Sequence, residues 1–164
     1  TLKMTFGDDL RADVLNVLPP MRAGNIATQN GLNNSNKRWC QIDWLTYEST
    51  AVKNVHILGD SLQIAPLMPK SGHMANQHGK VCAAAVVALL TGDVVNTTPM
   101  VANTCYSFID DKNVVHVASV HRYDAAQKTM VTVAGAGGLS PSPNLAEGVY
   151  ANSWAKNIWA DMLT

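Results

Sequence analysis

Ser71 to Gly92 is the segment that most narrows what this chain can fold into. Ser71 is suited to accept from first-turn helix amides, and Thr91-Gly92 supplies the residue type that ends a helix in a left-handed turn. Between them runs the alanine-rich stretch Val81 to Leu90, so the spacing predicts one long helix from near Ser71 to Leu90. The apolar run, ten residues long, is half of the roughly 20 that a bilayer-crossing helix needs, so no membrane span is expected. Charge narrows the field again. The 164 residues carry 12 Lys+Arg and 12 Asp+Glu, 15% of the chain, against about 25% in ordinary soluble domains. The cations are scattered apart from the pair Lys37-Arg38. Without a basic stripe, binding driven by phosphate neutralisation is excluded, and nucleic acid with it. With 47% hydrophobic residues the chain can bury a real core, and its sparse charge implies that part of its surface packs against other protein.

Ahead of the helix, Asn54-Val55-His56-Ile57-Leu58-Gly59-Asp60 reads as a short apolar strand closed by Gly-Asp, the pattern of parallel strands buried on both faces. A loop punctuated by Pro66 and Pro69 connects it to Ser71. Trp39 to Tyr47 is rich in aromatics and is expected to be extended, and the asparagine-rich Arg22 to Lys37 reads as a helical turn followed by a surface loop. At the start, Leu2, Met4 and Phe6 alternate with polar neighbours, Gly7-Asp8-Asp9 turns, and Leu10 to Leu18 returns as a second strand ended by Pro19-Pro20. A lone hairpin is marginal in water. The expectation is therefore that an upstream portion is absent, a trimmed or processed terminus being the alternative.

After the helix, Asp93 to Met100 reads as a linker. Thr104 to Ile109, Val114 to Tyr123 and Thr129 to Ala134 are strands of an antiparallel meander, Gly135 to Pro143 a flexible connection, and Ala146 onward an amphipathic helix carrying Ala155, Ile158, Trp159, Met162 and Leu163. The expected class is α/β and α+β in two parts, residues 1–98 and residues 99–164, the second being the meander with its carboxyl-terminal helix.

Candidate chemistry concentrates before and at the long helix. Gly59-Asp60 at a strand end allows close backbone approach and offers a carboxylate to sugar or polyol hydroxyls, although a strand-ending Asx turn uses the same residues. Lys70-Ser71 opens the helix, whose unpaired amides and partial positive charge suit a phosphate or an anionic flavin ring. Cys40 lies beside Trp39 and just after Lys37-Arg38, cations that favour the thiolate; a buried small hydrophobe is the plainer alternative. Cys82 fits that plainer role, and Cys105 stays ambiguous. The histidine pairs His73/His78 and His116/His121 are each five apart, a spacing that puts no two ligands on one face, so no metal site is expected. No Gly-x-Ser-x-Gly, Walker loop or Gly-x-Gly-x-x-Gly occurs. A complete flavin-adenine-dinucleotide domain needs the last of these for its pyrophosphate.

These strings converge. Ala12 to Gly24, Trp39-Cys40, Val55 to Asp60, Pro66-Leu67-Met68-Pro69-Lys70-Ser71-Gly72, Ala75-Asn76-Gln77 and Asn103-Thr104-Cys105-Tyr106-Ser107 resemble the flavoprotein subunit of flavocytochrome c sulfide dehydrogenase. The likeness runs from near the first residue to the terminal helix and corresponds to the carboxyl-terminal part of that longer flavoprotein. It implies the remnant of a disulfide-reductase-like FAD-binding domain followed by the family's carboxyl-terminal domain. It implies too a periplasmic oxidoreductase that oxidises sulfide through a redox-active disulfide and FAD, then passes electrons to haem on a c-type cytochrome partner. By the same resemblance, Cys40 is one half of the disulfide, its other half lying outside this chain, consistent with three cysteines being an odd number. Asp60 meets the ribityl chain of the flavin with Gly59 beside it in the cofactor site, the amides of Lys70 and Ser71 face its pyrimidine edge, and Trp154 is a carboxyl-terminal aromatic near the ring. The chain alone is expected to be inactive and to bind flavin weakly or not at all. Two other readings stand beside this one: a quinone- or pyridine-nucleotide-linked relative of the disulfide reductases, and a non-catalytic docking module anchored by Trp154 and Trp159.

Overall fold

A computed structural model describes residues 1–163. Its elements in chain order are α1 (Asn25–Gln29), a 3-10 turn (Gly59–Ser61), α2 (Gly72–Thr91), β1 (Met100–Phe108), β2 (Val114–Asp124), β3 (Thr129–Thr132), β4 (Gly138–Leu139) and α3 (Leu145–Leu163). Helix α2 begins and ends where its punctuation predicts. Ser71 caps it from an extended backbone, its hydroxyl accepting from the Met74 amide at 3.0 Å, and Gly92 stops it at φ 77°. Met74, His78, Cys82 and Ala85 recur at helical spacing and are its buried face.

That face packs on β1, and α3 packs on β2. The strands β1, β2 and β3 form the expected antiparallel meander, with Cys105 opposite Val117, Ser107 opposite Val115 and Tyr123 opposite Met130. Strand β4 was expected to be part of a flexible Gly/Pro connection; it pairs instead with β2 at Val117 and Ala118, on the edge that β3 leaves free. Glycine makes this possible, since a Cβ at Gly137 would sit 2.4 Å from the Ala118 carbonyl oxygen. The core takes side chains from both sides of residue 98: Ile42, Trp44, Tyr47, Leu62, Met68, Met74 and Cys82 with Val101 and Met130. The α+β class is as expected.

The segments before α2 depart from their predicted form. Asn54 to Asp60 is no strand of a parallel sheet. His56 makes one antiparallel bridge to Glu48, the Ile57 amide donates to the Tyr47 carbonyl, and Gly59–Ser61 coils into the 3-10 turn. A strand buried on both faces needs neighbours on both edges, and this segment has only the irregular stretch Tyr47 to Ser49 beside it, so its apolar run packs as a loop and leaves Leu58 exposed. The amino-terminal hairpin reduces to a single bridge between Leu2 and Leu10, and Leu10 to Leu18 is not a strand, because residues 3–22 are exposed throughout with nothing to pack on. Trp39 to Ile42 is extended, with isolated bridges, before Trp44 to Thr46 turn. The polar segment after Arg22 is a helical turn, α1, and a loop, as read.

Candidate functional site: two recesses flanking the start of helix α2

Five of the six residues singled out from the sequence gather at the approach to α2. The chain extends through Cys40, which pairs in parallel with Leu62: the Cys40 amide donates to the Ser61 carbonyl at 3.0 Å and the Gln63 amide to the Cys40 carbonyl at 2.8 Å. This pairing sets the 3-10 turn beside Cys40. Gly59 enters the turn at φ 72°, a conformation that favours glycine, and its amide donates to Nδ1 of buried His78 at 3.3 Å. The turn is thus pinned to α2.

Lys70 closes the arrangement. Its ammonium donates to the carbonyl oxygens of Asp60 and Leu62, both at 2.6 Å, and stands 3.8 Å from the centroid of the Trp39 ring. Arg22, Trp39, Asp60, Ser61 and Lys70 line a small polar recess of about 120 Å³. Behind Trp39, Cys40 is 0% exposed and packs with Ala23 and Ala27. Burial pushes its thiol up from the usual range, and Lys70 opposes that shift without cancelling it. The cations expected to favour the thiolate are elsewhere. Lys37 is exposed, and Arg38 spends its guanidinium on the Met21 carbonyl at 2.6 and 3.0 Å. The cation that acts on Cys40 is Lys70, thirty positions away in sequence and brought in by the loop.

Ser71, the next residue, lines a second recess of different character. This pocket, about 510 Å³, lies between the first turn of α2, strand β1 and helix α3. Tyr106, Phe108, Trp154, Ile158 and Met162 give it apolar and aromatic walls, while Ser71, His73, Thr104 and Cys105 bring polar atoms to one side. Trp154 stands edge to face with His73, centroids 5.3 Å apart, and 5.9 Å from Tyr106. Two hydrogen bonds tie the helix start to the sheet: the Ser71 hydroxyl donates to Oδ1 of buried Asn103, and the Thr104 amide donates to Nδ1 of His73 at 3.0 Å. The amides of Lys70, Ser71, Gly72 and His73 have no acceptor among the described residues.

A pocket in the size range of small-molecule sites, mostly apolar with a few polar groups on one side, suits a flat heteroaromatic ring with acceptors along one edge. The unpaired amides and the aromatic walls therefore fit a flavin ring. Asp60 is exposed on the neighbouring recess, within electrostatic reach of Lys70, and its carboxylate has no partner among the described residues.

The histidines matter here in ways other than as metal ligands. Among the described residues no group of three His, Cys, Asp or Glu comes together to hold a metal. His73 faces the apolar pocket, and His78 and His121 are buried in the interior. Farther off, half-buried Ser140 and His116 join buried Glu147 in a polar cluster at the start of α3. His116 Nδ1 lies 2.8 Å from Glu147 Oε2 and 2.9 Å from the Ser140 hydroxyl, and hydrogen bonds from Ser140 and then His116 hold the Glu147 carboxyl below its usual range. A five-residue spacing carries no trace of these contacts, which strand pairing and the α3 docking create.

An antiparallel meander closed by a long helix, with an aromatic pocket rimmed by free helix amides, defines an α+β domain built around a recess for a flat ring. Residues 97–163 match the model of the family described as flavocytochrome c sulphide dehydrogenase, flavin-binding. The carboxyl-terminal unit of this chain is thus similar to that family's flavin-binding domain, the likeness that the sequence strings also carry.

Proposed function

We propose that this chain is the carboxyl-terminal part of an FAD-dependent sulfide dehydrogenase, residues 1–98 closing the FAD-binding region and residues 99–164 forming the family's terminal domain. The observation that carries the reading is that consecutive residues, Lys70 and Ser71, line the two recesses flanking the start of α2, inside a chain whose last 67 described residues match the flavin-binding family. The polar recess holds the ribityl side through Gly59 and Asp60. The amides at Lys70 and Ser71 face the pyrimidine edge, and Trp154 lies against the ring.

Cys40 supplies one sulfur of a redox-active disulfide whose other sulfur belongs to a cysteine outside residues 1–164; Cys40, Cys82 and Cys105 are all free thiols here. Hydrosulfide attacks this disulfide, so that one S–S bond breaks and another forms, leaving a persulfide on one cysteine and a thiolate on the other. Lys70 supplies the positive charge nearest to Cys40 and steadies the sulfur when it is anionic. A second hydrosulfide takes the outer persulfide sulfur as the two cysteine sulfurs return to the disulfide; FAD, when bound, would supply the acceptor for the electron pair so released and the means to pass it singly to a c-type cytochrome partner in the periplasm. The remaining work falls to this chain's own residues, which exclude water with Trp39 and Trp154 and present fixed amides where negative charge collects.

The test is sulfide-dependent reduction of cytochrome c by the complete flavoprotein carrying Cys40→Ser. Loss of at least about a hundredfold is expected for removal of a covalent participant. Unchanged turnover would remove Cys40 from the chemistry and favour the docking-module reading; reduction of a quinone in place of cytochrome c would move the protein to the quinone-linked relatives.

A further inference from the structure

His73 has a hydrogen-bonding state fixed by the fold. Its Nδ1 accepts the Thr104 amide at 3.0 Å, so that nitrogen carries a lone pair. A neutral imidazole with one accepting nitrogen bears its hydrogen on the other, and the donor must be Nε2–H. Burial lowers the His73 pKa from its ordinary value, which favours the neutral ring. The Nε2 atom has no partner among the described residues, although the ring itself lines the apolar pocket and meets Trp154 edge to face. An oriented donor is therefore held beside an aromatic wall, next to the free amides of Lys70, Ser71 and Gly72.

We propose that His73 is a ligand-binding residue of this pocket, its Nε2–H donating to a carbonyl oxygen or ring nitrogen of an isoalloxazine lying against Trp154. The inference deepens the flavin reading and rests on it. Thr104 is the positioning partner: its backbone amide selects the tautomer, so that His73 offers a donor and not a second acceptor. A planar aromatic without such acceptors gains nothing from His73.

The test uses the complete flavoprotein freed of FAD, with lumiflavin, the flavin ring without its ribityl and phosphate groups, as the probe. Nitrogen-15 NMR of the imidazoles is expected to show His73 as the Nε2–H tautomer at neutral pH, with the Nε2 resonance moving on addition of lumiflavin. Saturable quenching of tryptophan fluorescence then reports affinity. His73→Phe, which keeps a ring but no donor, is expected to weaken binding about three- to tenfold, the loss of one neutral hydrogen bond. His73→Gln restores an N–H donor and part of the affinity. Equal binding by the wild type and His73→Phe, or an Nδ1–H tautomer, overturns the role of His73 and leaves the flavin reading standing. Absence of any quenching or shift in the wild type overturns the flavin reading, and this inference with it. The tautomer measurement needs no variant, so misfolding of His73→Phe does not shield the proposal.

Discussion

The segment before α2 and the unit after it are built by different means. From Met100 onward, hydrogen bonds run in ladders: nine register pairs join β1 to β2, and α3 closes the sheet. From Thr1 to Ser71 the pairings are isolated bridges joined by turns, with Asn36, Lys37, Tyr47, Asn54 and Leu67 all at positive φ. A ladder shares its energy among repeated contacts, whereas a loop assembly depends on a few pins. The polar recess belongs to the pinned region and the apolar pocket to the laddered one, so each recess inherits the mechanical character of its support. Lys70 and Ser71 stand on the boundary.

The largest effect expected is at the laddered end. A Cβ at Gly148 would stand 2.1 Å from the Lys112 carbonyl oxygen, backbone that has no easy escape. Gly148→Ala is expected to cost about 3 kcal/mol in denaturant unfolding, at the upper end of typical overpacking penalties. A loss below about 0.5 kcal/mol would mean that α3 rides loosely on the β1–β2 hairpin and that the contrast between the two regions is overdrawn.

A comparable effect, at a different site, is expected from acid. His78 joins the regions, accepting from the Gly59 amide while packed against Trp44 and Tyr47. Burial first, then the nearby Lys70 and His121, bring its pKa from 6.5 down to about 4. The folded value lies below the unfolded one, so the unfolded chain binds the proton more readily. Stability is thus fully present above about pH 6.5 and is lost as pH falls toward about 4. At about 1.4 kcal/mol per pH unit, the loss is on the order of 3 kcal/mol, and His78→Phe flattens it. Unfolding curves across that range check this. Equal acid sensitivity in the variant would assign the effect to His121, whose ring is also buried and lowered.

The smallest effect is expected from removal of residues 1–20. They are exposed almost throughout and contribute the single Leu2–Leu10 bridge, while Met21, which anchors Arg38, stays. Stability is expected to change by no more than about 0.5 kcal/mol. A larger drop in thermal unfolding would show that this segment packs on the body in solution.

The sequence was most legible where local chemistry alone decides structure. Helix α2 has a capping serine, an alanine-rich body and a terminal glycine, and these act within a few residues of themselves. The meander strands are separated by Asp110 to Asn113 and Asp124 to Lys128, whose Asx turns form through Asp110 and Asp124. Asn54 to Asp60 misled because an apolar run states only that a segment is buried; whether it becomes a strand depends on neighbours along both edges. Strand β4 was hidden for the opposite reason, since Gly137 and Gly138 look flexible until β2 supplies a partner. At the site, residue types pointed to Gly59, Asp60, Lys70 and Ser71, which do gather. The influence of Lys70 on Cys40, and the tautomer of His73, arise from contacts thirty or more residues apart, and no spacing rule encodes them.

Gly148 has a further bearing on how such a domain can vary. The hairpin loop at Asp111 and Lys112 faces solvent, where insertions are ordinarily cheap. Here the loop touches the helix that carries Trp154 and Ile158 into the pocket, six and ten residues further on. Lengthening the loop tilts the helix, and the helix reshapes the recess. A stretch whose length is ordinarily free is here tied to the dimensions of the pocket that Phe108 and the helix line.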